Sequence, residues 1–239
     1  AAGRFDADTL HALSGLRGRL MKGDGSDKGS MLAVQASLAE VEKAVAEEKL
    51  DLAIANRNAP RQNVLSGATM EIERGERILA ARGLRVVRLP VAAAFHSTLV
   101  ASALEPFGAA LDRVSFARPA LPVYANSTGE AYPDDARGAR KILADQLAKP
   151  VEFVKLVETM YGSGIRTFVE VGAGARLAGL VGQILLGKSA KGDDFTALSN
   201  QPSRLACLNF SLHHPEAIKC SGFLAGRTLC HIHAATRML

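Results

Sequence analysis

Three places in the chain pair residue types with a spacing that could do chemistry. The first is Ala93-Ala94-Phe95-His96-Ser97, where a histidine ends an apolar stretch and stands just before a helix. An imidazole there can act as a general base near neutral pH. A lone histidine in such a place is more often structural, capping the helix that follows. The second is Leu16-Arg17-Gly18-Arg19-Leu20-Met21. A guanidinium offers a planar fork that binds a carboxylate through two hydrogen bonds; an isolated arginine otherwise belongs to a solvated helix face. The third is Gly172-Ala173-Gly174, between a strand and a helix. Its next glycine, Gly179, comes too late for G-x-G-x-x-G, and no acid ends a following strand. The turn reads as a tight connection that needs glycine rather than a dinucleotide site. No permanently bound cofactor is expected.

The cysteines Cys207, Cys220 and Cys230 and four of the six histidines all lie in residues 199–239, without zinc-ligand spacing. The same segment sets Arg204, Lys219, Arg227 and Arg237 against Glu216, so it carries +3 of the net charge of +5. No Lys/Arg cluster with interleaved aromatics occurs, which argues against a nucleic-acid partner. Hydrophobic residues make up 48% and charged residues 22%, an ordinary globular balance. No apolar run approaches the roughly 20 residues that span a bilayer. The opening residues lack the pattern of a secretory signal, and with no cysteine before Cys207 a cytoplasmic location is the default.

The elements that must position these residues follow from periodicity. Leu10, Leu13, Leu16 and Leu20 place a helix over residues 8–21, followed by a polar, glycine-rich loop over 22–29. Residues 30–35 suit a strand. Ser37 and Glu40 form a capping box for a helix faced by Leu38, Val41 and Val45. A strand with Leu52 and Ile54, a turn at 58–61 and a strand over 62–66 come next. A helix over 69–82, stopped by Gly83, leads to a strand over 84–89. The order βαββαβ is that of a ferredoxin-like unit. Beyond Pro90 we expect a helix over 98–114 kinked at Pro106 and a strand over 122–126. Helices over 136–147 and 151–161, a strand over 166–171 and a helix over 175–186 complete an α/β layer with parallel pairing. From about Ser199 no period is visible, and the structure of that tail is not predicted.

Several separated stretches, in order and at the right spacing, resemble the acyltransferase domains of fatty-acid and polyketide synthases, of the malonyl-CoA:acyl-carrier-protein transacylase kind. They are Leu16-Arg17-Gly18-Arg19-Leu20-Met21, Gly29-Ser30-Met31-Leu32-Ala33-Val34 and Asn58-Ala59-Pro60-Arg61-Gln62-Asn63-Val64-Leu65-Ser66-Gly67. Ala94-Phe95-His96-Ser97, Asp145-Gln146-Leu147-Ala148-Lys149-Pro150-Val151 and Glu170-Val171-Gly172-Ala173-Gly174 follow. Val123-Tyr124-Ala125-Asn126-Ser127-Thr128-Gly129 is similar to the polyunsaturated-fatty-acid and iterative polyketide types. The likeness covers about residues 1–187.

The resemblance implies an incomplete α/β-hydrolase-like large subdomain, residues 1–29 and 90–198, with an inserted ferredoxin-like small subdomain, residues 30–89, and a tail over 199–239. It implies transfer of malonyl from coenzyme A to a serine, then to the phosphopantetheine thiol of an acyl-carrier protein, beside neighbouring synthase domains. His96 would be the catalytic base and Gln146 the residue whose main-chain carbonyl orients it. Arg17 would clamp the malonyl carboxylate. Phe95 resembles the malonyl-selecting variant, although Ala93 replaces a glycine of many relatives. The family's serine lies in a G-H-S-x-G elbow, about two dozen residues before the arginine. No such run occurs in this chain, and only 16 residues precede Arg17. The serine is therefore expected outside it, with the first strands of the sheet and the oxyanion-hole residue, leaving this chain alone inactive. The competing reading is a non-catalytic module that docks carrier protein, which would need none of Arg17, His96 and Gln146.

Overall fold

In the computed structural model, residues 2–22, 29–91, 93–171, 174–186, 188, 195–199 and 228–233 are described, the last six by backbone alone. The chain divides into two units, 1–156 and 157–239, both of mixed α/β build.

Helix α1 (Ala7–Lys22) opens the first unit, and the Asp6 carboxylate accepts a bond from the Thr9 N–H, 2.7 Å, at its start. Leu13 and Met21, with Leu16 and Leu20, pack on Ala103, Phe107, Leu111 and Leu147. Leu10, expected on the same stripe, is 48% exposed and lies outside that cluster.

Then follow β1 (Ser30–Gln35), α2 (Leu38–Glu47), β2 (Ala53–Ala59), β3 (Gln62–Gly67), α3 (Thr69–Ala81) and β4 (Arg85–Arg88). The sheet order is β2-β3-β1-β4, antiparallel throughout. Side chains alternate between faces along a strand. Leu32, Val34 and Leu65 therefore pack with Val41 and Ala44 of α2 and Ile72 and Leu79 of α3, while Met31 and Val64 gather with Ala55 on the opposite face. The capping box of α2 is formed: the Ser37 hydroxyl accepts from the Glu40 N–H, and Glu40 accepts from the Ser37 N–H. Helix α3 ends as Gly83 predicts. Gly83 has φ +80, and the N–H groups of Gly83 and Leu84 donate to Ala80 and Leu79. Helix α2 ends in the same motif, with Lys49 at φ +49 in the glycine position and the Lys49 and Leu50 N–H groups donating to Ala46 and Val45.

Beyond Pro90 the elements shorten. The single helix expected over 98–114 is a 3-10 segment (Thr98–Ala103) followed by α4 (Leu104–Asp112). Pro106 falls in the first turn of α4, where a missing N–H costs nothing, so the break comes before the proline rather than at it. The strand expected over 122–126 is only β5 (Tyr124–Ala125), the first arm of a small hairpin with β6 (Glu130–Ala131). Helix α5 (Ala136–Asp145) starts at Asp135, whose carboxylate accepts from the Gly138 N–H at 2.7 Å, and gives way to a turn over 146–149.

The second unit begins within α6 (Phe153–Gly162). Its sheet sets β7 (Ile165–Val171) between β8 (Thr196–Ser199) and β9 (Thr228–His233), parallel to both. Parallel pairing was expected, whereas β8 and β9 were not: β9 lies in the segment without sequence period. Helix α7 (Arg176–Leu185) buries Leu177, Leu180, Val181, Ile184 and Leu185, and the buried Glu170 carboxylate accepts from the Ala178 N–H near its start, 3.0 Å. Gly174 has φ +103; Gly172 and Ala173, most of the loop over 22–29 and most of the 199–239 tail lie outside the described residues.

Candidate active site

His96 sits in the turn between β4 and the 3-10 segment, with φ +59. Few non-glycine residues adopt this conformation, and histidine is among the more tolerant. The turn is closed by the Phe95 N–H donating to Ala93, 3.0 Å, and the Ser97 hydroxyl donating to Ala94, 2.7 Å. The His96 Nδ1 lies 3.1 Å from the Gln146 carbonyl oxygen and 3.0 Å from that of Lys149. Carbonyls only accept, so the neutral ring carries its proton on Nδ1 and keeps the Nε2 lone pair for a proton. Burial pushes the His96 pKa below its ordinary value, and the Arg17 charge pushes the same way. The bonds to Gln146 and Lys149 oppose it. The imidazole is thus neutral at neutral pH, the form a base requires.

Arg17 is half-buried on α1. Burial lowers its pKa, and no carboxylate among the described residues acts on it. Its Nε is buried without a hydrogen-bond partner among the described residues. Tyr132, just after β6, lies within its electrostatic reach, and burial pushes that phenol up to about 12 against the opposing charges of Arg17 and Arg4. Phe95 packs against both the α1–α4 cluster and the Met31–Ala55–Val64 face of the sheet, so its ring stands where the two meet.

Gln146 caps the end of α5, and its side-chain amide donates to Asn126 Oδ1. The structure brings His96 and Gln146 into direct contact, sets Arg17 in electrostatic range of the histidine and keeps Phe95 beside it. Sequence reasoning missed the Lys149 carbonyl, Asn126 as partner of Gln146, and Tyr132. It also missed Asn56, fully buried with neither amide atom partnered among the described residues, which pairs in register with Val64 and so shares the sheet face that Phe95 covers. Among the described residues no group of three His, Cys, Asp or Glu side chains could hold a metal ion. No helix among them is long and apolar enough to cross a membrane.

A neutral imidazole with one nitrogen fixed by main-chain carbonyls thus lies in electrostatic range of an arginine on which no carboxylate acts among the described residues. Residues 5–191 match the family described as "Acyl transferase domain", and the chain belongs to that family. Among its relatives, polyketide synthase GfsA of Streptomyces halstedii is 38% identical over 174 residues, 73% of this chain and 2% of that protein. One component of the polyunsaturated fatty acid synthase of a Thraustochytrium species is 34% identical over 190 residues, 77% of this chain and 6% of that protein. The chain therefore spans a small fraction of the synthases it matches. Among solved structures, a malonyl CoA-acyl carrier protein transacylase from Clostridium perfringens superposes with TM-score 0.77 at 28% identity, covering 91% of this chain and 68% of that one. A malonyl-transacylase solved with its type II polyketide synthase acyl-carrier protein gives TM-score 0.73 at 27% identity over 83% of this chain and 62% of that one.

Proposed function

We propose that this chain is the part of a malonyl-type acyltransferase domain that carries its base and its carboxylate clamp. In this reading residues 30–89 are a ferredoxin-like subdomain inserted in an α/β-hydrolase-like subdomain, residues 1–29 and 90–198. These 239 residues hold no G-H-S-x-G run, so this reading needs the nucleophilic serine from another segment. The serine oxygen attacks the thioester carbonyl of malonyl-CoA while its proton passes to His96 Nε2, and the coenzyme A thiolate leaves, taking that proton. The phosphopantetheine thiol of an acyl-carrier protein then attacks the acyl-serine, its proton passing to His96 and on to the serine oxygen. The Gln146 carbonyl, joined by that of Lys149, keeps Nε2 the accepting nitrogen. Arg17 holds the malonyl carboxylate, and the Phe95 ring leaves no room for a methyl branch. The partners are then an acyl-carrier protein, a coenzyme A thioester and neighbouring synthase domains, in the cytoplasm.

The observation that carries this reading is the Nδ1 of His96 held by two carbonyls, in range of an arginine on which no carboxylate acts among the described residues. Joined to a segment that supplies the serine, the domain should acquire a malonyl adduct visible by intact-protein mass spectrometry and pass it to carrier protein. His96→Ala should abolish that transfer. The 239 residues alone should acquire no adduct, and a stable malonyl adduct on them would contradict the assignment of the nucleophile. Phe95→Ser should ease entry of a methyl-branched malonyl.

A further inference from the structure

Both carbonyls on His96 Nδ1 come from one turn, and a turn has few bonds with which to hold them in place. Within it the N–H groups of Leu147, Ala148 and Lys149 donate to Ala144 and Asp145 at 3.1–3.2 Å, and Pro150, next in line, has no N–H to donate. Its anchors lie elsewhere. Asn126 Oδ1 accepts from Gln146 Nε2 at the start of the segment. The main-chain carbonyl of the same Asn126 accepts from the Glu152 N–H, 2.6 Å, at its end. Between them Val151 joins β2: its N–H donates to Ala55 and its carbonyl accepts from Arg57, both at 2.8 Å, and the Arg57 guanidinium meets the Glu152 carboxylate at 3.0 Å.

Asn126 is itself fixed by the hairpin. The Gly129 N–H donates to Ala125 at 2.8 Å, and Gly129 has φ +69. A Cβ there would lie 2.7 Å from the Lys155 chain, whose ammonium donates to the Thr128 carbonyl at 2.8 Å and pairs with Glu130 at 2.9 Å. The hairpin is therefore pinned to the start of α6 and offers Asn126 as a fixed point. His96, held at φ +59, needs such restraint from outside its own turn.

We propose that Asn126 is a positioning residue for His96: by holding both ends of residues 146–152 it keeps the carbonyls of Gln146 and Lys149 on Nδ1, and so keeps Nε2 free to take a proton. The functional meaning rests on His96 being the base, but the geometry is testable without substrate.

The test is 15N NMR of the imidazole rings in the full chain at pH 8, with His96 assigned by its loss in His96→Gln. In the parent chain His96 should be a single Nδ1–H form. Asn126→Ala should turn it into a mixture in which Nε2–H is a substantial share, and Asn126→Asp, which keeps the accepting oxygen, should restore the single form. Gln146→Ala keeps the main-chain carbonyl and removes only the donor to Asn126. It should give the same mixture, and the double variant should be no worse than either single one, as for residues acting through one contact. A purely structural asparagine would lower stability and leave the ring proton in place. A folded Asn126→Ala chain with His96 still wholly Nδ1–H overturns the inference. Should Asn126→Ala not fold, an unchanged ring in Gln146→Ala overturns it equally. Failure of malonyl transfer with the ring responding as stated would count against the proposed function and leave this inference standing.

Discussion

Residues 30–89 and residues 90–152 are held by different means. The first segment is a sheet laddered on every strand, with helices on one face, a capping box at the start of α2 and a left-handed residue closing each helix. The second has a hairpin of two-residue strands, short helices and a turn, tied together by single bonds such as that of the Gln146 amide to Asn126 Oδ1 and that of His96 Nδ1 to the Gln146 carbonyl. A regular ladder spreads its stability over many equivalent bonds, whereas a site built on turns rests on a few and can set atoms where no ladder would put them. His96 sits in the second kind of structure, and the sheet serves it as the anchor for Val151.

Removing bulk from the sheet should have the largest effect. Leu65 is fully buried between sheet and helices, and Leu65→Ala should cost about 2–5 kcal/mol in urea denaturation. A loss below about 1 kcal/mol would mean that the sheet is not the stable half of the comparison.

Next comes a pH effect confined to the turn-built half. The folded pKa of His96 lies below the unfolded one, mainly through burial. The folded state therefore binds fewer protons, so this contribution to stability is full above the unfolded value of about 6.5 and is lost as pH falls from there through the depressed folded value. Denaturation midpoints compared at pH 8, 6 and 5 should fall more steeply in the parent than in His96→Gln. Identical slopes would show that the ring is not buried as a neutral base.

A smaller effect returns to the sheet. Lys49 and Gly83 occupy the same left-handed position in two equivalent helix ends. Lys49→Gly should raise stability by about 0.5–1 kcal/mol, since glycine alone adopts that backbone freely. A fall instead would show that the Lys49 side chain contributes more than its backbone costs.

The two halves also differed in how well the sequence revealed them. The short apolar run over residues 30–35, the Ser37–Glu40 box and Gly83 are side-chain signals, and each maps onto an element or end seen in the structure. Lys49 ends a helix as Gly83 does but carries no signal, because lysine is not a residue that favours positive φ. The Lys149 carbonyl is a main-chain acceptor, which every residue has, so no residue type could announce it. Gln146 was legible only through resemblance to a family, and Asn126 only as one residue of the Val123–Gly129 stretch. Strand β9 pairs in parallel with β7 over a distance in sequence that local periodicity cannot bridge.

Arg17, on which no carboxylate acts among the described residues, is proposed to receive one from the acyl group. Titration calorimetry of the chain with malonyl-CoA and with acetyl-CoA tests it without needing the serine. A charge-assisted pair is worth about 1.5–3 kcal/mol, or about 10- to 150-fold in affinity. Malonyl-CoA should bind tighter by about that factor, and Arg17→Ala should remove the difference while leaving acetyl-CoA binding unchanged. Equal affinities in the parent, or a malonyl-to-acetyl ratio that Arg17→Ala leaves unchanged, would contradict it.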